Sequence, residues 1–317
     1  MTIKIPYRIN WAGAYLDCID EPVITSTIDK YITIESKQRV DNRLSVFSIE
    51  FNRIYEVDLR PRLNRMYSWT DYIDGCIAVF ARHDFNLRVG CDMIVRNDLP
   101  SGIGVSGSAA FIVAILKTIC YWNDLEVSDD VIAHLGYWVE HDYLQIPCGR
   151  MDFKAVLHAP GIWKLDTSSN SLGLDKKISD NHFVGLLLYK EQHEHLTDGK
   201  FLDNVARIKN TKYHFNYDSR ASEYINFEGN IVSCISYQAQ QDNLTEDSLG
   251  MFLNQSSLNL KVNLLGQEYQ LSNIEGVYGE KLVGSGLKGA RFLLINPGYE
   301  ESIREQFKDF NIVKCNL

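Results

Sequence analysis

Asp98-Leu-Pro-Ser-Gly-Ile-Gly-Val-Ser-Gly-Ser-Ala-Ala-Phe111 is a glycine- and serine-rich loop that runs straight into an apolar helical pattern from Ala109 to Ile119. Such a loop leaves a row of unpaired backbone N–H groups at the positive end of a helix, with no Cβ atoms to keep an anion away. It is a place to hold phosphates. The loop also spells G-x-G-x-x-G at Gly102, Gly104 and Gly107, the dinucleotide fingerprint, but the context is wrong for it. A dinucleotide-binding strand is buried on both faces and leads directly into the first glycine. Here Leu87, Val89, Cys91, Met93 and Val95 alternate with Arg88, Gly90, Asp92, Ile94 and Arg96, the pattern of a half-exposed antiparallel strand, and polar residues intervene before the glycines. A second G-x-G-x-x-G, at Gly284, Gly286 and Gly289, leads into Ala290 to Ile295, which reads as a strand rather than a helix. The absence of G-K-[ST] excludes a Walker A loop.

Working outward, 317 residues at 45% hydrophobic content suffice for two ordinary cores. Seven cysteines without a C-x-x-C pair argue against a disulfide framework or a zinc site, and a reducing cytosol is the expected compartment. The first residues go directly into strand-like sequence, and no window reaches the length of a membrane span, so no membrane partner is expected. A net charge of −9 speaks against a nucleic-acid surface.

The periodicities predict an α+β chain. Strands are expected over residues 3–10, 22–36, 44–58 (a pair), 87–95, 161–165 and 182–189, and again on both sides of the second glycine motif. Helices are expected over 67–83, from 109 to 119, from the Ser128 N-cap to about Leu144, from Met151 or Asp152 onward, and over 198–212, 219–227, 230–241 and 245–258. A last helix and strand close the chain, and the Ser- and Asn-rich Thr167 to Leu172 is the candidate linker.

Glu140 falls in the last turn of the Ser128 helix and Asp152 follows the Pro147-Cys-Gly149 break, so both carboxylates can face one cleft. Phosphoryl transfer needs such a pair, one oxygen ligand for Mg²⁺ and one carboxylate to orient the attacking hydroxyl and take its proton. By spacing alone the same two residues also read as a solvated helix glutamate and a helix cap. Trp69, Tyr72 and Gly75 read as packing, and Glu191, His193, Glu194 and His195 as a polar loop rather than a metal cluster.

Four segments, in order, resemble the GHMP small-molecule kinases, closest to galactokinase-like and heptose-kinase-like sugar kinases. Lys4 to Gly13 with Asp17 resembles the first motif of the sugar kinases, and Pro100 to Ala110 is similar to the P-x-x-x-G-L-G-S-S-A-A phosphate loop. Glu140 through Pro-Cys-Gly-Arg-Met-Asp152 looks like the stretch that ends C-G-x-M-D, and Lys281 to Gly289 resembles the third, glycine-rich motif. The resemblance implies a two-domain fold: an N-terminal ribosomal-S5-like α+β domain over 1–170 and a C-terminal ferredoxin-like α+β domain over 171–317. It implies an ATP- and Mg²⁺-dependent kinase for a monosaccharide hydroxyl, most simply the anomeric one, as monomer or homodimer. A heptose-phosphate or fucose-type kinase and a non-catalytic sugar and ATP sensor are the alternatives.

The implied roles follow the motifs. Gly102, Ile103, Gly104, Val105, Ser106, Gly107 and Ser108 would wrap the ATP phosphates, with Gly284, Ser285 and Gly286 completing the nucleotide site. Ser108 and Glu140 would hold Mg²⁺. Asp152 would act as base or orienting group, Arg8 would sit beside it and counter charge on the moving phosphoryl group, and Asp17 would bind sugar hydroxyls. The chain departs from the galactokinase pattern at Ala14-Tyr15 (Glu-His there), at Ser106-Gly107 (Gly-Ser there) and at Leu287-Lys288 (glycines there).

Overall fold

Runs rich in β-branched and aromatic residues open the chain as two strands, β1 (Thr2–Ala12) and β2 (Val23–Gln38). A hairpin of β3 (Arg43–Ser48) and β4 (Arg53–Asp58) follows, then helix α1 (Thr70–Arg82), strand β5 (Cys91–Asn97) and helices α2 (Gly107–Trp122), α3 (Asp129–Trp138) and α4 (Met151–Ala155). Strands β6 (Ile162–Leu165), β7 (Lys176–Ser179) and β8 (Val184–Tyr189) lead to helices α5 (Gly199–Lys212), α6 (Ser219–Gln240) and α7 (Glu246–Asn259). Strands β9 (Val277–Leu282) and β10 (Arg291–Ile295), helix α8 (Glu300–Gln306) and strand β11 (Asn311–Asn316) complete the order. The computed structural model describes residues 1–60, 68–168, 175–180, 183–190, 199–287 and 290–317. The Glu191 to His195 cluster, Lys288, and residues 169–172 of the candidate linker lie outside them.

Two compact units result, interleaved along the chain. One gathers Met1–Tyr7, Lys30–Ser101 and Ser106–Leu157; the other gathers Arg8–Asp29, Gly102–Val105 and His158–Leu317.

In the first unit β3 pairs antiparallel with β4 and parallel with β5, and residues Ile32 to Gln38 of β2 pair antiparallel with β5. The alternation read at 87–95 is that of a half-exposed strand, but the strand is antiparallel to one neighbour only and begins at Cys91. Residues 87–90 stay out of it because Asn123, just past the end of α2, takes the Arg88 and Val89 N–H groups on its side-chain oxygen at 2.7 and 2.9 Å. Helix α2 is apolar on all sides and buries Ala109, Ala110, Ile112, Val113, Ile115 and Leu116, as a central helix must. Ser128 caps α3 through the Val131 N–H, as the sequence predicts. Trp69 stacks on Phe51 at 5.6 Å and meets Phe111 edge-on, which makes it a packing residue.

The second unit carries a four-stranded sheet in the order β11-β8-β10-β9, antiparallel throughout. With helices between β8 and β9 and between β10 and β11, this is the ferredoxin-like arrangement the resemblance implies. One sheet face builds a core from Leu186, Leu188, Leu293 and Ile295 against Ile303 of α8. On the other face Phe292 is fully buried and meets the edge of Trp11 at 5.8 Å. Helix α6 runs uninterrupted where two helices were expected, because Gly229 sits in open space and interrupts nothing. Among the described residues no helix is long and apolar enough to cross a membrane.

Candidate functional site

In the first unit α2 is entered through Ser106, which takes a left-handed backbone at φ +64 and begins the helix by accepting from the Ala110 N–H at 2.9 Å. Its hydroxyl is buried without a hydrogen-bond partner. Left-handed backbone favours glycine, yet the glycine stands one position later, where an added Cβ would meet only a Tyr7 ring carbon at 3.6 Å. The Ser106-Gly107 departure therefore places strain in the glycine loop itself, at the start of a helix whose N–H groups could face an anion.

Helix α3 widens into a π-helical turn over Val139–Tyr143, and Glu140 rides on it. Such turns re-aim a side chain that a regular helix would carry past. The carboxylate is 6% exposed and accepts from the Ser108 hydroxyl. Burial pushes its pKa up to about 7; the Ser108 and Cys148 hydrogen bonds oppose that rise, and the neighbouring Asp152 charge adds to it. Asp152 is half-buried on the first turn of α4. Its place is set by Phe153, fully buried in the space left by Gly136, where a Cβ would lie 2.5 Å from the Phe153 ring. Ser108, Glu140 and Asp152 are thus brought together within one unit. Two hard oxygen donors, one a carboxylate ready to lose its proton near neutrality, are the donor chemistry that fits Mg²⁺.

The buried carboxylate also sets an expectation for stability. With its pKa near 7 folded and near 4.5 unfolded, the folded state holds a proton that the unfolded state releases between these values. Stability therefore falls as pH rises from about 4.5 to about 7, by about 3 kcal/mol in total. Glu140→Gln removes the ionisation and keeps the shape. In thermal melts without divalent cation the variant should exceed the wild type by up to about 3 kcal/mol at pH 8, with the gain vanishing below about pH 5.

In the second unit Gly102 to Val105 and Gly284 to Gly286 meet. Gly104 (φ +91) and Gly284 (φ +62) touch backbone to backbone: a Cβ added at Gly284 would lie 2.8 Å from the Gly104 Cα. The Arg8 side chain, almost fully buried, donates through Nη1 to the Gly104 carbonyl at 2.9 Å, and its backbone N–H donates to the Val105 carbonyl at 3.2 Å. The cation is held against the loop.

Asp17, also buried, lies in a short 3-10 turn, Leu16–Ile19, flanked by Tyr15 at φ +66 and Asp20 at φ +60. Non-glycine residues with such backbones persist only where surroundings fix them. Helix α6 does so. Its fully buried Glu228 accepts from the Gly13 N–H at 2.8 Å, and Tyr224, one turn earlier, donates its hydroxyl to the Ala14 carbonyl. Ser256 and Asn259 of α7 donate to the same glutamate at 3.1 and 3.2 Å. Lys281, 1% exposed at the head of the third motif, has no hydrogen-bond partner for its ammonium among the described residues. Burial pulls its pKa down, the Glu228 charge opposes that, and Arg8 adds to it. The clamp of Tyr224 and Glu228 escaped the sequence reading. Its one signal is a pair of polar residues four apart on the buried stripe of α6.

Residues 71–159 match the family described as GHMP kinases N terminal domain. A galactokinase of Chloroflexus aggregans is 31% identical over 150 residues, 47% of this chain and 38% of that relative. The chain thus aligns with well under half the length of the curated relatives it matches. Lactococcus lactis galactokinase, solved with galactose, superposes with a TM-score of 0.82 at 17% identity over 99% of this chain and 92% of that one. Methanococcus jannaschii mevalonate kinase gives 0.79 at 18% identity over 100% and 98%. These structures share the two-domain α+β fold that the motifs imply.

Proposed function

From the match of residues 71–159 to the GHMP kinase N-terminal domain and the similarity to galactokinases, we infer that this chain is an ATP-dependent sugar kinase that transfers the γ-phosphate of Mg·ATP to a monosaccharide hydroxyl, the anomeric one. The observation that carries this reading is the buried Glu140 carboxylate, hydrogen-bonded by the Ser108 hydroxyl, with Asp152 close enough to raise its pKa. A phosphate loop needs no such second carboxylate merely to bind; phosphoryl transfer does.

In the proposed reaction the N–H groups of Gly102 to Ser108 and of Gly284 to Gly286 hold the phosphates. Ser108 and Glu140 would hold Mg²⁺, which when bound would supply charge neutralisation to the phosphates. Asp152 accepts a hydrogen bond from the sugar hydroxyl, aligns its lone pair toward the γ-phosphorus and receives the proton as the new O–P bond forms and the bond to ADP breaks. Arg8, tethered to Gly104, counters charge on the transferred group. Asp17 accepts hydrogen bonds from other sugar hydroxyls. The domain limits at 1–170 and 171–317 are proposed with the same reading: the family match lies within the first, and strands β8 to β11 within the second. A cytosolic monomer or homodimer completes it.

The deciding test is ADP release from Mg·ATP over a panel of free and phosphorylated sugars. Turnover on one free hexose is the expected result. Turnover confined to a phosphorylated heptose would redirect the substrate assignment, and saturable sugar binding without any ADP release would replace the kinase with a sensor on the same fold.

A further inference from the structure

We propose that Tyr15 is a positioning residue that ties the turn carrying Asp17 to the glycine-rich segment Gly284–Gly286, so that occupancy of one orders the other. The linkage rests on the structure alone; the identity of the two ligands, a nucleotide at the glycines and a sugar at the turn, rests on the reading above.

Tyr15 donates its hydroxyl to the Ser285 carbonyl at 3.2 Å, across 270 positions of sequence. Ser285 lies between Gly284 at φ +62 and Gly286 at φ +71, both left-handed. Within this turn the Gly286 N–H reaches the Val283 carbonyl at only 3.3 Å, a long bond. Because a peptide is planar, fixing the Ser285 oxygen also fixes the direction of the N–H on the other side of the same peptide. The tyrosine hydroxyl therefore adds a fixed point for the Ser285 peptide to a turn whose Gly284 backbone rests on Gly104.

At its other end Tyr15 is fixed by its backbone and its ring. It is 5% exposed, its ring packs on Phe201 of α5 at 5.6 Å, and its own φ of +66 is costly for a bulky residue. The two residues before it are clamped by Glu228 and Tyr224, and Asp17 follows two positions later. A shift of the Ser285 peptide must then either break the tyrosine bond or move the turn that carries Asp17. A side chain that bonds one binding element and shapes the backbone of another is the kind of two-ended contact that transmits coupling.

Amide hydrogen exchange on the full chain tests this, with ADP as the probe and Tyr15→Phe as the variant. Phenylalanine keeps the ring and its Phe201 contact and removes only the hydroxyl. In the ligand-free variant, exchange should rise several-fold in both 13–19 and 283–287, while 224–228 stays at the wild-type rate. ADP should slow exchange in both segments of the wild type and in 283–287 alone of the variant. Wild-type exchange at 283–287 in the variant would overturn the linkage, as would ADP protection of 283–287 in the wild type that never reaches 13–19. An exchange increase in both segments of the variant, with no ADP effect on either protein, would sustain the linkage and overturn the nucleotide assignment instead. Tyr15→Leu, which also removes the ring, should reproduce the loosening of 283–287; retention of tight exchange there would count against the hydroxyl.

Discussion

Asp152→Asn should lower turnover by about 10³-fold or more while leaving nucleotide binding in place. Asparagine keeps the size of the side chain and its position on the first turn of α4, where buried Phe153 sets the helix. The substitution costs only a carboxylate at a helix start, about 0.3–1 kcal/mol, so the variant should fold. In the proposed reaction it removes the group that would accept the hydroxyl proton, so the loss should fall on kcat. The structure adds a second signature. The Asp152 charge helps to raise the Glu140 pKa, so neutralising it lets Glu140 ionise more readily. Mg²⁺-dependent nucleotide affinity near neutral pH should therefore hold or rise slightly as kcat collapses. Single-turnover kinetics with calorimetric titration of Mg·ADP separates the two effects. A parallel loss of nucleotide affinity would mean that Asp152 serves the metal rather than the acceptor.

The second large effect is expected far from the carboxylates, at Glu228. Glu228→Ala deletes the acceptor for the Gly13 N–H, for the Ser256 hydroxyl and for the Asn259 amide, all within the buried interior of the second unit. It also removes the Glu228 charge that favours the ammonium of Lys281. Breaking a buried charge network from one side costs about 3–5 kcal/mol, so the melting temperature should drop by on the order of 10 °C. Glu228→Gln keeps the shape and part of the hydrogen bonding, and should cost less. Lys281→Met should be near neutral by itself, since it removes an ammonium that bonds to nothing, and should restore part of the stability lost in Glu228→Ala. Strict additivity of the Glu228 and Lys281 substitutions in chemical denaturation would show that the two groups do not interact.

Much of this was legible in the order of residues. The strand-like runs of β1 and β2, the alternation of β5, the cap at Ser128 and the apolar pattern of α2 are local signals, and local rules read them. Where the reading failed, the deciding partner was distant. The strand at 87–95 starts late because Asn123 captures two backbone donors, and nothing within the strand announces that. Strand β7, Lys176-Lys-Ile-Ser179, is too short and too polar to declare itself. Gly229 suggests a break that open space makes unnecessary. The candidate site divides in the same way. Its glycines, Ser108, Glu140 and Asp152 stand in recognisable spacings, whereas Tyr224 and Glu228 matter through contacts more than 200 positions away.

The interleaving of the two units has a consequence for synthesis. Residues Arg8–Asp29 belong with a unit whose remainder runs to Leu317, and Trp11 rests on Phe292, 281 positions further on. On a ribosome adding 5–20 residues each second, roughly 15 to 55 s separate the emergence of this tryptophan from that of its partner ring. During that interval the apolar segment Ile9 to Ile19 has no completed core to enter. It is therefore a stretch of the nascent chain exposed to aggregation during synthesis, and the ferredoxin-like unit must reach β10 before Trp11 can seat against its partner ring.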